Sequence, residues 1–246
     1  MDMAHKINLM THQVLGYPDF ETNEKALEIF KKNNVEYVEL QIPFSESSAD
    51  GPTFVKANQL SIQNGTTVEA CLEFIKKSID KNPMKFLIMT YFNIIYQYGL
   101  DNFLRRASEI GVWGIIVPDA PVDEGVQLYD KCVSYQMNPI VIATPYTSEK
   151  RLQVLAEKGR EFIYFVPRKG VTGSKTDFND SVREKILQIK QRTLMECAVG
   201  FGIQEKADLE FLEGYADIAV IGSKITRIIE EEGIEKVDDF LKEIRE

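Results

Sequence analysis

The chain has 246 residues, 44% of them hydrophobic, enough to bury the core of one large domain or two small ones. A formal charge of −9 and an isoelectric point near 5.0 argue against nucleic acid or an anionic membrane as the main partner. An anionic substrate would need a site built locally from backbone dipoles rather than a basic patch.

The first apolar run, Ile7–Leu15, predicts a strand, and Asn23–Asn33 an amphipathic helix after it. Tyr37–Ile42 predicts a second strand, Thr67–Lys77 a helix, and Phe86–Tyr91 a third strand. Leu100–Ile110 then reads as helix, Gly114–Pro118 as strand, and Ile140–Ala143 as the fifth strand. That strand is started at Ile140 because proline suits the beginning of a strand rather than its middle. Glu149–Lys158 is helical in pattern, Phe162–Val166 extended, and Ser181–Lys190 helical again. Cys197–Gly200 and Ile218–Ile221 are the last two strands, with Lys206–Glu213 as the helix between them and Val237–Ile244 as a closing helix. Eight near-continuous apolar strands alternating with helices imply a parallel sheet covered on both faces. In about 250 residues this is the size of a single (β/α)₈ TIM barrel, an α/β fold. A doubly wound open sheet is the competing arrangement. No linker or low-complexity segment divides residues 1–246, so one domain is expected.

Cys71, Cys132 and Cys197 are widely spaced and odd in number, which reads as free thiols in a reducing compartment. The only histidines are His5 and His12, which excludes a His-rich metal site. The N-terminal residues lack a signal-peptide core, and no apolar run is long enough to span a bilayer. A cytoplasmic protein is expected.

Two carboxylates stand out. Glu39 lies inside the apolar second strand, near its end, where barrel enzymes place catalytic groups. It could equally be an ion-paired glutamate at a sheet end. Asp50 belongs to Ala49-Asp50-Gly51-Pro52, which is also ordinary turn chemistry. As a pair, Glu39 against apolar walls should hold its proton more tightly, while Asp50 in a polar loop should stay ionised.

Gly200 and Gly202 follow the seventh strand, and Gly222 and Ser223 follow the eighth, each before a helix. Such loops either make tight turns or bring helix N-terminal N–H groups to a phosphate. The long polar segment after the sixth strand, with Gly170 and Gly173, suits a lid over substrate or a plain surface loop. Tyr164 stands in the strand before it, where core packing and catalysis are both open.

Several segments together resemble the α subunit family of tryptophan synthase. They are Gly16-Tyr17-Pro18, Glu39-Leu40, Pro43-Phe44-Ser45, Ala49-Asp50-Gly51-Pro52-Thr53 and Gly65. The series continues with Tyr91, Asn93, Val117-Pro118-Asp119, Gly170-Val171-Thr172-Gly173, Gly200-Phe201-Gly202 and Gly222-Ser223, in the family's order. The resemblance implies a barrel that cleaves indole-3-glycerol phosphate to indole and glyceraldehyde 3-phosphate, a retro-aldol reaction of tryptophan biosynthesis that needs no cofactor. It implies Glu39 as general acid/base, Asp50 as partner of the indole N–H, and Tyr164 as a site tyrosine beside Glu39. It implies Thr172 as the lid threonine that meets Asp50. Tyr91, Met89, Ile116 and Phe201 would line the indole pocket, and Gly173, Gly202, Gly222 and Ser223 would hold the phosphate. The partner implied is the β subunit, in an α₂β₂ complex.

The chain departs from the family's pattern in places. Gln41 stands where the family usually has glycine, and Glu46-Ser47-Ser48 where it has Asp-Pro-Leu, a segment that helps contact the β subunit. His12-Gln13-Val14 replaces mostly apolar or small residues; His12 either enters the pocket or is a satisfied core histidine, and the second is expected. The helix that usually precedes the first strand is nearly absent, which poses the question of what closes the barrel bottom. A stand-alone lyase releasing free indole and a non-catalytic barrel that regulates a partner are the alternative functions. A Schiff-base aldolase would want a pocket lysine on a strand, and the predicted strands offer no obvious one.

Overall fold

In the computed structural model, which describes residues 6–122, 127–167, 179–200 and 202–245, eight parallel strands run in sequence order and close on themselves. They are β1 (Asn8–Val14), β2 (Tyr37–Gln41), β3 (Lys85–Met89), β4 (Gly114–Ile116), β5 (Asn138–Ala143), β6 (Phe162–Phe165), β7 (Glu196–Gly200) and β8 (Ile218–Ile221). The helices are α1 (Phe20–Lys32), α2 (Pro52–Gln63), α3 (Val68–Lys81), α4 (Phe92–Tyr98), α5 (Leu100–Glu109), α6 (Leu128–Ser134), α7 (Glu149–Lys158), α8 (Asp180–Thr193), α9 (Lys206–Leu212), α10 (Ser223–Glu231) and α11 (Lys236–Arg245). The expected (β/α)₈ barrel is therefore the fold, and the open sheet is excluded by the pairing of β8 with β1.

The strands are apolar throughout because both faces are buried. Alternate residues such as Val38, Leu40, Ile88, Ile163 and Val199 pack outward against the helices. Their neighbours Met10, Leu87, Ile140, Ala198 and Ile218 fill the barrel interior. On β2 the inward set is Tyr37, Glu39 and Gln41, so the carboxylate that interrupts the apolar pattern faces the centre of the barrel.

Two expectations need correction. Strand β5 begins at Asn138, not Ile140, and includes Pro139. The proline costs no ladder bond there, because β6 starts only at Phe162 and pairs with β5 from Val141 onward. The segment after Asp50 is the start of a helix as well as a turn: Gly51 is the N-cap of α2 and Pro52 opens it. Periodicity hides α2 because its buried face is partly polar. Asn58 and Ser61 lie on it beside Phe54 and Ala57, and the Ser61 hydroxyl donates to the Leu15 carbonyl at 2.6 Å.

The N-terminal end of the barrel is filled by aromatic rings. Trp113 stacks on Phe162 at 6.1 Å between centroids, and Tyr37 meets both edge-on at 5.5 and 5.7 Å. The Lys85 ammonium sits over the Trp113 and Tyr37 rings at 4.7 and 5.0 Å. These side chains close the barrel bottom from within. All three cysteines are buried and unpaired, and no described helix is long and apolar enough to cross a membrane. Replacing Phe162 with alanine removes the centre of the aromatic plug, and urea unfolding followed by far-ultraviolet circular dichroism should show a loss of about 3–5 kcal/mol.

Candidate active site

At the opposite end, where the strands finish, a cavity of about 470 Å³ opens into the barrel. Glu39, Asp50 and Tyr164 all line it, with Met89, Ile116, Gly202, Gly222 and Ser223. Phe54, Ile142, Val166 and Val220 make much of the remaining wall apolar. The site thus gathers side chains from strands far apart in the sequence around one space.

Glu39 is held by a strand with neighbours on both sides, paired in register with His12 on β1 and Leu87 on β3. It is only 3% exposed. Its Oε1 lies 3.2 Å from His12 Nδ1, while its buried Oε2 has no hydrogen-bond partner among the described residues. A buried carboxylate oxygen left unpaired is costly in a folded protein. Glu39 itself lines the cavity, as required of a group that exchanges protons with a ligand.

Tyr164 sits across the barrel on β6, buried in the cavity wall. Burial, and then the charge of Glu39 and Asp50, push its hydroxyl well above the ordinary range, so it is neutral and able to donate. Its ring occupies the space above Gly200: a Cβ there would lie 2.2 Å from Tyr164 Cε1. Gly200, expected in a tight turn or a phosphate-binding loop, is a space-making residue for the tyrosine.

Asp50 differs from expectation. It is 5% exposed, and burial raises its pKa against the opposing pull of Gln41 and His12. Its environment is buried and amide-rich rather than an open polar loop. Gln41 Nε2 and Asn58 Nδ2 both donate to Asp50 Oδ2, at 2.7 and 3.0 Å. The loop that carries it is anchored as well. The Phe44 N–H donates to Asn58 Oδ1 at 2.9 Å, and the Ala49 N–H donates to the Tyr91 hydroxyl at 3.1 Å. Phe44 also stacks on the Tyr91 ring at 5.3 Å. Tyr91 was expected in the cavity wall, but it is fully buried behind the loop and holds it in place.

His12 also departs from the core role expected of it, because it lines the cavity. Its Nε2 is 2.9 Å from Gln41 Oε1, and its ring packs on Phe54 at 4.4 Å. Burial pulls the imidazole pKa down, but the Glu39 and Asp50 carboxylates push it up, and the outcome is a raised value. Gln41, read in the sequence only as a departure, is thus a structural link between His12 and Asp50. Asn58 gave no signal in the sequence, since a polar residue on an unrecognised helix looks like surface.

Gly202, Gly222 and Ser223 meet at one side of the cavity. Helix α10 begins at Ser223 with no side-chain cap at its N-terminus among the described residues. The preceding α9 differs: Glu205 and Asp208 form a capping box there, and Asp208 Oδ2 accepts from the Gln204 and Glu205 N–H groups. Of the two helix starts, α10 is the one whose N-terminal N–H groups have no side-chain cap among the described residues. Gly222 is also required by packing, since a Cβ there would lie 2.9 Å from Phe54 Cζ and 3.2 Å from His12 Cβ. Thr172, Gly173 and Phe201, and most of the expected lid, lie outside the described residues. Among the described residues no cluster of three or more His, Cys, Asp or Glu side chains is arranged to hold a metal ion.

Comparison with known proteins gives a consistent picture. The family model described as tryptophan synthase alpha chain matches residues 2–245. The tryptophan synthase alpha chain of Desulforapulum autotrophicum is 44% identical over 240 residues, covering 97% of this chain and 94% of the relative. That of Methanocaldococcus jannaschii is 37% identical over 216 residues, covering 87% and 76%. Among solved structures, one from Pyrococcus furiosus, described as the tryptophan synthase a2b2 complex, superposes with a TM-score of 0.90 at 27% identity, covering 98% of this chain and 99% of that one.

The contact between Gly200 and Tyr164 can be tested by a double-mutant cycle in urea. Gly200→Ala is expected to cost about 1–3 kcal/mol through overpacking. Adding Tyr164→Leu should remove most of that cost, so the two effects should be clearly non-additive.

Proposed function

The chain belongs to the tryptophan synthase alpha chain family, and we propose that it cleaves indole-3-glycerol phosphate to indole and glyceraldehyde 3-phosphate with Glu39 and Asp50 as the working carboxylates. The observation that carries this reading is the placement of both carboxylates in the wall of one largely apolar cavity, with Glu39 Oε2 lacking a hydrogen-bond partner among the described residues.

The reaction needs one proton delivered and one withdrawn. Carbon 3 of indole leaves poorly until it is protonated, which places positive charge on the ring nitrogen. Loss of the proton from the adjacent side-chain hydroxyl then turns that oxygen into the aldehyde carbonyl. The carbon–carbon bond breaks, and its electron pair restores the neutral aromatic ring. Glu39 gives the first proton and takes the second. Asp50, held by Gln41 and Asn58 through one oxygen, presents its other oxygen to the ring N–H and offsets the developing charge. Met89 and Ile116 supply apolar walls for the ring, and the neutral Tyr164 hydroxyl stands beside the acid/base. Gly202, Gly222, Ser223 and the open N-terminus of α10 would receive the phosphate, so an acidic protein binds an anion without a basic patch. Thr172, Gly173 and Phe201 keep the roles that the family resemblance implies. No step needs a cofactor.

Assembly with a β subunit into an α₂β₂ complex is supported by the Pyrococcus furiosus relative, which is described as such a complex. The Glu46-Ser47-Ser48 segment, with Ser47 buried and its neighbours exposed, lies in the anchored loop that carries Asp50. A partner docked on it would act on the site directly. A cytoplasmic location fits the three unpaired cysteines.

Indole release from indole-3-glycerol phosphate, measured with and without a β subunit, tests the reading. Weak activity alone and strong stimulation by the partner are expected, and high unassisted turnover would favour a stand-alone lyase. Glu39→Gln should lower kcat roughly a hundred- to ten-thousand-fold. Asp50→Asn should lower it by roughly a hundredfold or more. An active Glu39→Gln enzyme would overturn the acid/base assignment.

A further inference from the structure

The carboxylates are joined through a chain of side chains whose hydrogen positions can be assigned from the geometry. Asn58 is oriented unambiguously, because its Oδ1 accepts from the Phe44 backbone N–H and its Nδ2 donates to the Phe54 carbonyl at 2.7 Å. Gln41 Nε2 lies 3.3 Å from that Asn58 oxygen and 2.7 Å from Asp50 Oδ2, so acceptors face it on both sides. The Gln41 carbonyl oxygen is therefore the atom that meets His12 Nε2, and Nε2 must carry a hydrogen. The remaining ring nitrogen, Nδ1, faces Glu39 Oε1 at 3.2 Å. With Nε2–H fixed, a hydrogen bond in that gap requires one further proton, on either the imidazole or the carboxylic acid.

We propose that His12, held in one tautomer by Gln41, is a positioning residue that stores the transferable proton for Glu39. The proposal rests on the cleavage reaction assigned above. At rest the pair holds one proton beyond Nε2–H, as imidazolium and carboxylate. When that proton passes through Glu39 to carbon 3 of the indole ring, Glu39 is left ionised against the bare Nδ1 lone pair. Two acceptors then oppose each other across 3.2 Å, an arrangement relieved when Glu39 accepts the hydroxyl proton and shares it again with Nδ1. The pair begins and ends with the same proton count, matching a reaction that consumes and releases one proton.

The surroundings suit this role. The titratable groups facing His12 among the described residues are Glu39 on β2, Asp50 in the loop after it, and Tyr164 on β6. Helix α2 presents the Phe54 ring, and Gly222, just after β8, is where an added Cβ would lie 3.2 Å from the His12 Cβ. The two carboxylates outweigh burial and raise the imidazole pKa, the direction that a proton store requires. The register of β1 on β2 sets His12 beside Glu39, and the alternation of β2 puts Gln41 on the same inner face one step nearer the mouth.

Nitrogen-15 NMR of the imidazoles tests the proposal without substrate, and the chain has only His5 and His12 to assign. His12 is expected to titrate above the ordinary value of 6.5 and to retain its hydrogen on Nε2 when neutral. Glu39→Gln should lower the titration midpoint by about one pH unit or more. Gln41→Leu should release the tautomer, so that the neutral ring carries its hydrogen on Nδ1. For turnover, His12→Phe should reduce kcat at least about tenfold with KM changed by less than about threefold. A neutral wild-type ring protonated on Nδ1, or a midpoint unmoved in Glu39→Gln, overturns the proposal. So does full kcat in a folded His12→Phe enzyme, and if that variant does not fold the NMR results decide. A wild-type chain that releases no indole would count against the reaction itself and leaves the NMR results to judge the proton store.

Discussion

Burying Glu39 inside the barrel carries a large desolvation cost unless something nearby offsets it, and the parallel register of β1 on β2 sets the offsetting group, His12, at 3.2 Å. A slip of one residue would turn Glu39 into the helix layer and bring Val38 or Leu40 into the cavity. Every other feature of the site depends on this placement. Gln41 reaches His12 and Asp50 because it lies two residues beyond Glu39 on the same face. Asp50 can be buried because two amides meet it. The loop between them is fixed at Phe44 and Ala49 by Asn58 and Tyr91.

The barrel interior is consequently layered along its axis. Aromatic rings and the Lys85 stem fill the N-terminal end, aliphatic residues such as Leu87 and Ile218 occupy the middle, and the ionisable groups gather at the C-terminal mouth. The layers have different tolerances. The lower two are governed by packing and lose stability when volume changes. The upper layer is a hydrogen-bonded set in which each group is another's partner, so removing one strands the next. Stability and chemistry are thereby assigned to opposite ends of the same eight strands.

Much of this was legible in the sequence, and the exceptions have identifiable causes. Strand positions were readable because both faces of a parallel strand are apolar, which leaves runs such as Phe162–Val166 and Ile218–Ile221 conspicuous. Glu39 was readable for the opposite reason, as a charge in such a run. Helix α2 was hidden because Asn58 and Ser61 occupy its buried face and imitate a solvent-exposed segment. Pro139 misplaced the start of β5 because its missing N–H faces a side where no strand has yet begun. Tyr91 was placed in the cavity wall, but side-chain direction at the end of a strand decides between wall and loop support, and spacing alone does not supply it. The environment of Asp50 was misjudged for a related reason: turn-forming neighbours said nothing of the two amides that enclose it. His12 and Gln41 looked like unrelated departures until the register brought them together.

The aromatic plug at the barrel bottom has a practical side. Trp113 is the sole tryptophan of the chain, and it is stacked on Phe162 at the end of the barrel away from the cavity. Its emission is therefore a built-in gauge of whether the barrel is closed, spatially separated from the pocket where an indole ring would bind. Solvent exposure of that one indole would mark the opening of the lower barrel. Light from a ligand at the mouth would arise in a different environment, so the folding of the scaffold and the occupancy of its site can be followed as separate optical signals from an unlabelled protein.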